Sequence, residues 1–448
     1  MSGLRWTPKE LERLTELYKK TAYPGAHMYH VAGLVWEAHA LPEYRTVEAI
    51  NGKLKAMLKA GELPAPEGKV VAEGIENFKQ VTAIESLREE LRDLRKALRV
   101  ATSEAVVMQD VVNALHNLVP AWDPPPAVPK APKAKPDTAV ESAILALGDW
   151  HFGEKVSAEG MRGWNEYSSH IAACRARTVV DRVLKIKRRL ESGGGYSFEE
   201  LVVPVGGDMV PGLMHDGERH SDYTIFRTTL GCAWVLAQVL RELAAHFPHV
   251  HVVCIVGNHG RLAKRKQYKD PDRSFDWLAY QIVSIALQNC TNITMFAPLS
   301  HSAMFRVRGV RFYMTHGDEF KAQFSMPYYS IDRKQGRMLA LESTRGNAFD
   351  HSLIFHWHDE ARTPLPGAGK NFVMPSLKGG DEYVLESKGN VPTPGQWFCG
   401  VHAKHGVTHT WLIEAEPRAA EPYVYTPWRT TTAVPQAEAG TPLVYEVP

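Results

Sequence analysis

Three short runs in the middle of the chain, residues 142–147, 200–205 and 250–256, are apolar almost without interruption. Runs of this length and continuity are how strands buried on both faces of a mostly parallel sheet read. Between them lie amphipathic stretches over residues 168–191 and 223–246, long enough for helices of several turns. The alternation is a βαβ rhythm and predicts a layered α/β domain. Further along, AMFRVRGVRFYMTHG (303–317) reads as a hairpin or bent strand pair, and SLIFHWH (352–358) as another strand.

The N-terminal third is patterned differently. Thr7-Pro8-Lys9-Glu10 is a capping box with proline at the first helical position, followed by Leu11, Leu14, Leu17 and Tyr18 on one face. A second helix is expected over residues 27–39. A third begins after Thr46, with Val47, Ile50, Leu54 and Leu58 on one side and Lys53, Lys55 and Lys59 alongside. This layout resembles Myb/SANT-like and other helix-turn-helix modules, and the resemblance implies DNA contacts from those three lysines. From Ile84 through Leu87, Leu91, Leu94 and Leu98 to Val119, apolar residues keep alternating spacings of three and four, with charged residues between them. That is a coiled-coil seam and predicts self-association through residues 84–119, although one amphipathic helix lying on the later domain has the same pattern. A Pro/Lys-rich stretch follows, extended and semi-rigid by composition. The expected organisation is a helical module over 1–62, a coiled-coil segment over 63–119, a linker over 120–138 and an α/β domain over 139–448.

Composition narrows the class without choosing a function. A hydrophobic fraction of 44% and a charged fraction of 23% in 448 residues are those of an ordinary soluble globular protein. The N-terminus lacks a signal pattern and no apolar stretch is long enough to span a bilayer, so a cytoplasmic protein without membrane association is expected. Five cysteines without a C-x-x-C pair indicate neither a zinc ribbon nor a disulfide framework. A net charge of +2 rules out a global field for nucleic acid, so such binding must rest on local patches.

Chemistry is concentrated where the apolar runs stop. The first ends in Gly148-Asp149-Trp150-His151, the second in Gly206-Gly207-Asp208 and the third in Gly257-Asn258-His259-Gly260. The later ones end in Thr315-His316-Gly317 and His356-Trp357-His358. Asp or Asn after a strand is by itself a turn residue. Five such ends in succession instead predict a site in the crevice beyond the carboxyl ends of the strands. On an extended strand, Asp149 and His151 would share one face, as would His356 and His358. Oxygen and imidazole groups without thiolate suit Mn²⁺, Fe or Zn²⁺.

The order D-x-H, G-D, G-N-H, H-G, H-x-H resembles the calcineurin-like metallophosphoesterase superfamily. The resemblance implies a four-layer β-sandwich flanked by helices, with two divalent metals at its edge, manganese foremost and iron, zinc or magnesium as alternatives. It would place Asp149, His151, Asp208 and His358 on one metal and Asp208, Asn258, His316 and His356 on the other, with Asp208 bridging. It also implies that His259 acts as general acid or charge stabiliser, while a hydroxide shared by the metals is the nucleophile. Two positions depart from the family pattern: Gly260 stands where an acidic residue is usual, and Phe355 where glycine is usual.

The superfamily's chemistry does not choose the phosphoester. Arg261, Lys264, Arg265, Lys266 and Lys269 follow His259 directly and could hold phosphates flanking a scissile bond. With the N-terminal module they favour a DNA phosphodiesterase, in a layout similar to phage and prophage phosphoesterases and to repair nucleases of the superfamily. A phosphomonoesterase or protein phosphatase, and a DNA-binding scaffold with a weak metal site, are the alternatives. His402, His405 and His409 read as part of a hairpin, and His215 and His220 as residues of a polar loop.

Overall fold

The computed structural model describes residues 6–21, 31–32, 46–63, 121–125, 128–130, 138–193, 195–213, 221–263, 268–322 and 327–427. The chain divides into two compact units, Met1–Glu104 and Ala105–Pro448.

In the first unit, α1 (Pro8–Thr21) opens on the expected reciprocal cap. The Thr7 backbone N–H donates to Glu10 Oε2 at 2.7 Å, and the Glu10 N–H donates to Thr7 Oγ1 at 3.2 Å. Thr46 caps α2 (Val47–Lys59) by accepting the Ala49 N–H. Leu14, Leu17 and Tyr18 bury against Ile50, Leu54 and Met57. That leaves Lys55 and Lys59 exposed and Lys53 partly so. Most of the helix expected over 27–39 and the whole seam over 84–119 lie outside the described residues.

The second unit contains two sheets. The first has six strands: β1 (Ala139–Ala146), β2 (Tyr196–Val205), β3 (His249–Cys254), β4 (Ile293–Phe296), β10 (Gly395–His402) and β11 (Gly406–Glu414). They lie in the order β11-β10-β1-β2-β3-β4, with β1 to β4 parallel and β10 antiparallel to both neighbours. The second sheet is built from β5 (Ser302–Val307), β6 (Val310–Thr315), β7 (His351–Ile354), β8 (Ala361–Pro364) and β9 (Lys370–Val373), in the order β5-β6-β7-β9-β8. β5 and β6 form the expected hairpin, and β6, β7 and β9 run parallel.

The continuous apolar runs are explained by burial on both faces. Ala143, Leu145 and Leu147 join the core under α3 (Ser169–Gly193), α4 (Ile225–Ala244) and α5 (Phe275–Ala286). Ile144 and Ala146 face Phe312, Met314, Leu353 and Phe372 of the second sheet. On that sheet's other side Ile331, from α6 (Tyr328–Ser343), packs with Ile354 and Val373. The layers therefore run helices, sheet, sheet, helix. Near the end of the chain's second sheet, α7 (Glu382–Lys388) is capped by Asp381, which accepts the Val384 N–H.

The beginning of the expected spacer is docked. Trp122 packs edge-on against Trp234, and its N–H donates to the Ala286 carbonyl. Among the described residues, no helix is long and apolar enough to cross a membrane.

Candidate metal centre

All the metal-facing residues expected from the sequence sit just past strand ends, but not on strands. β1 stops at Ala146 and β7 at Ile354, before Asp149, His151, His356 and His358. Strand alternation therefore does not aim these side chains. Asp149, His151, Asp208, His356 and His358 have φ between 43° and 74°. They are five of the eight non-glycine residues with positive φ among the described residues. Asp and His enter this region more readily than most residues, yet each still costs about 1–3 kcal/mol, which surrounding structure must hold.

The turns bring the side chains into two lobes. Asp149, His151 and His358 form one group of converging ligand atoms, and Asp208, His316 and His356 the other. His151, Asp208 and His259 form a third group that joins them. His151 Nε2 and His358 Nε2 face each other at 3.2 Å. In the second lobe His316 Nε2 lies 3.0 Å from both Asp208 Oδ2 and Asn258 Oδ1. His316 Nδ1 is 2.8 Å from the Gly206 carbonyl, which fixes that nitrogen as an N–H donor and turns Nε2 inward.

Each buried aspartate uses one oxygen and leaves the other. Asp149 Oδ2 accepts the His356 N–H at 2.9 Å, and Asp208 Oδ1 accepts the His259 N–H at 2.6 Å. Asp149 Oδ1 and Asp208 Oδ2 are fully buried and face imidazole nitrogens instead, His358 Nε2 at 3.5 Å and His316 Nε2 at 3.0 Å. Buried carboxylates need positive charge beside them, which the His316 proton supplies here and which a bound cation would supply in its place. The residues present fit divalent metal, and Asp208 belongs to two of the three groups.

Electrostatics agree. Burial would raise Asp208, but the charge of His316 foremost, then of His259 and His151, holds it well below the usual carboxylate range. Burial likewise opposes the His358 hydrogen bond and charge that hold Asp149 low. His316 rises to about 10 despite burial, because Asp208 and then Asp149 favour its charged form. Its extra proton marks where this site draws positive charge. His356 falls to about 3, through burial and the neighbouring His316.

His259 is placed at the junction of the lobes, its ring edge-on to His151 with centroids 4.6 Å apart. Burial lowers it to about 4 against the pull of Asp208. It is a neutral imidazole near pH 7, equipped to donate an N–H to an oxygen rather than to carry a spare proton. Arg261 turns back on its own loop, donating to the carbonyls of Asn258 and Ala263. Lys264, Arg265 and Lys266 lie outside the described residues, as do His215 and His220. His402 and His405 stack in the β10–β11 turn, and His409 lies 3.6 Å from Glu141. None of the three belongs to a metal-capable group among the described residues.

Three supporting side chains lie outside the motifs that mark the site in the sequence. Asp276, fully buried on α5, accepts the N–H groups of Asp208 and Gly257 on Oδ2 and of Met209 on Oδ1, at 2.9 to 3.0 Å. It thus clamps the two loops that carry Asp208 and Asn258. Burial and then the charge of Asp208 raise it to about 6. A Cβ on Gly260 would come within 2.9 Å of the Asp276 carboxyl carbon, so this carboxylate fills the space beside Gly260. Glu154 Oε2 sits 3.2 Å from His151 Nδ1, and Glu154 Oε1 accepts from the buried Lys378 Nζ at 2.9 Å. Lys378 also donates to Asp381 at 2.6 Å. A carboxylate behind Nδ1 favours the tautomer whose Nε2 lone pair points inward.

Phe355 is accommodated by glycines opposite. A Cβ on Gly206 would lie 2.2 Å from its ring, and one on Gly148 2.5 Å. Gly207, at φ 87°, allows its loop to approach the Gly257 backbone so closely that a Cβ would lie 2.1 Å from the Gly257 nitrogen.

No family model matches the chain, and no curated protein matches it. Solved structures similar to it include a hypothetical protein from Pyrococcus horikoshii, at 12% identity over 61% of this chain and 87% of that one, with a TM-score of 0.32. Another is the Vps29 of Entamoeba histolytica complexed with zinc, at 10% identity, 61% and 99% coverage, and a TM-score of 0.26. A third is an archaeal phosphodiesterase, at 8% identity, 60% and 99% coverage, and a TM-score of 0.27.

Proposed function

We propose that the chain is a dinuclear-metal-dependent phosphodiesterase of the calcineurin-like type, and that its substrate is DNA. The observation that carries the metal-dependent reading is the convergence of two buried carboxylates, Asp149 and Asp208, with inward-turned imidazole nitrogens in adjoining groups. Two divalent ions bound there would clamp a phosphate and make a shared water acidic enough to attack near neutral pH.

The residues divide the remaining work. Asp149, His151 and His358 would hold one ion, and Asn258, His316 and His356 the other, with Asp208 placed to serve both. Glu154 and Asp276 keep His151 and the Asp208 and Asn258 loops in register. His259, at the junction, donates an N–H toward the oxygen on which charge gathers as the ester bond breaks. The DNA reading adds the exposed Lys55 and Lys59 on α2, with Lys53 beside them, and the basic segment 264–266 after His259. Self-association through 84–119 would present two such sites to one polymer and raise effective concentration. The same reading places the enzyme in the cytoplasm, in a host cell if it is phage-encoded.

The test is hydrolysis by purified protein with Mn²⁺, comparing linear, circular and single-stranded DNA with bis-p-nitrophenyl phosphate and p-nitrophenyl phosphate. Cleavage of DNA and of the diester, lost in Asp208→Ala, is the expected result. Cleavage of the monoester alone would make the chain a phosphomonoesterase. DNA binding without turnover would make it a scaffold.

A further inference from the structure

A cavity of about 490 Å³ lies along one face of α6, and its charge is unbalanced. Lys321, Arg333, Lys334 and Arg337 line it, and among the described residues the only carboxylate in its wall is that of Glu319. Glu319 is already engaged: Oε1 accepts from Thr315 Oγ1 at 2.7 Å and lies 3.6 Å from Lys334 Nζ, while Oε2 accepts the Gly317 N–H. Among the described residues no acid pairs with Lys321, Arg333 or Arg337. Cations gathered in a concave wall repel one another, and an anion in the cavity relieves that repulsion.

The cavity is tied to the metal centre on two sides. Glu319 follows His316 by three residues and is bonded to the residues flanking it. Beneath α6, Ile331 packs with Ile354 and Trp357, on the segment that carries His356 and His358. The ring of Tyr329, 62% exposed, forms part of the wall, and the Arg333 guanidinium lies 6.0 Å from its centroid. Two metals would suffice to clamp the phosphate of a small ester without a base, leaving the positive wall and the exposed ring without a role. A nucleic-acid strand uses both, because bases stack on exposed rings while arginine and lysine track the phosphates.

We propose that this cavity binds a neighbouring phosphate and one base of a single nucleic-acid strand whose scissile phosphate lies at the metal centre. The proposal rests on the phosphodiesterase reading above. It makes the enzyme one that engages unpaired strand, with Tyr329 as the stacking platform and Arg333 and Arg337 as phosphate contacts.

The test uses the full chain with Mn²⁺ and three substrates: a thymidine hexanucleotide, a phosphoserine peptide, and bis-p-nitrophenyl phosphate, which is too small to span both sites. In the Arg333→Ala/Arg337→Ala double variant, the ratio of kcat/KM for the hexanucleotide to that for the small diester is expected to fall about tenfold or more. Its dependence on salt should flatten by about one unit of log–log slope. Tyr329→Ala should lower the ratio by a similar factor and Tyr329→Phe should restore it. Lys404→Ala, in the β10–β11 turn and outside this cavity's lining, should leave both rates as in the wild type. An unchanged ratio and slope in the double variant, or a wild type that cuts the small diester but not the hexanucleotide, would overturn the proposal. Preference for a phosphoserine peptide over the hexanucleotide would also overturn it, in favour of a protein substrate. A wild type that cuts neither diester overturns the phosphodiesterase reading itself.

Discussion

His151 Nε2 and His358 Nε2 face each other across 3.2 Å, although their residues come from the ends of strands in different sheets. Two imidazole nitrogens that close either share one proton or share a cation. Asp149 Oδ1, 3.5 Å from His358 Nε2, belongs to the same lobe and favours the cation.

Metal binding should release a proton. In the metal-free centre His316 stays protonated up to about pH 10, and its Nε2 is one of the atoms a metal would take. The raised value means that this group's stabilisation of the metal-free fold is complete below 6.5 and is lost as pH rises toward 10. Calorimetric titration with Mn²⁺ at pH 8 in buffers of different ionisation enthalpy should show about one proton released per chain. Heats that do not depend on the buffer would contradict the assignment of His316.

Asp276→Asn should weaken metal binding without touching a metal ligand. The amide replaces one of the oxygens that accept the Asp208, Met209 and Gly257 N–H groups with a donor. A loss of about 1–3 kcal/mol in folding stability is expected, with metal affinity down about 10- to 100-fold. Because Asp276 is raised from 3.8 to about 6, its stabilising contribution in the metal-free protein is full below pH 4 and disappears as pH rises through 6. Denaturant midpoints across pH 4–7 should lose that slope in the variant.

Lys378→Met isolates the ionic brace behind His151. Lys378 is 3% exposed and bonds both Glu154 and Asp381. Removing one member of a buried ionic cluster leaves the others uncompensated, so a loss of about 3–5 kcal/mol is expected in chemical unfolding. Glu154→Gln keeps the shape but weakens the acceptor behind His151 Nδ1, and should lower metal affinity about tenfold.

Gly206→Ala should destabilise the protein by about 1–3 kcal/mol, because its Cβ would meet the Phe355 ring at 2.2 Å. In Phe355→Ala the same change should cost much less. The coupling energy from the double-mutant cycle measures how far the glycine at 206 and the phenylalanine at 355 depend on each other.

These tests separate what the sequence makes legible from what it hides. β1, β2 and β3 were readable because burial on both faces produces a continuous apolar run, and the site's location followed from where those runs stop. The turn geometry was not readable: Asp149, His151, His356 and His358 looked like strand residues, and only the backbone reveals their positive φ. The bracing groups were also hidden, since Asp276 and Lys378 meet the site from remote parts of the chain and belong to no motif. Glu154, three residues after His151, is the one that spacing could have suggested. The basic face of α6 is hidden in the sequence for a different reason. YYSIDRKQGRM has too few apolar positions to stand out as a helix, because only Ile331 and Gln335 are buried along it.

The most direct test of the central claim is the number of Mn²⁺ ions bound per chain, measured by equilibrium dialysis of the wild type and of Asp208→Ala. The wild type should hold two. The variant, with Asp208 removed from both lobes, should hold at most one while keeping its circular dichroism spectrum. A wild type that binds one ion or none, or an Asp208→Ala protein that still binds two, would contradict a centre in which Asp208 joins two metal sites.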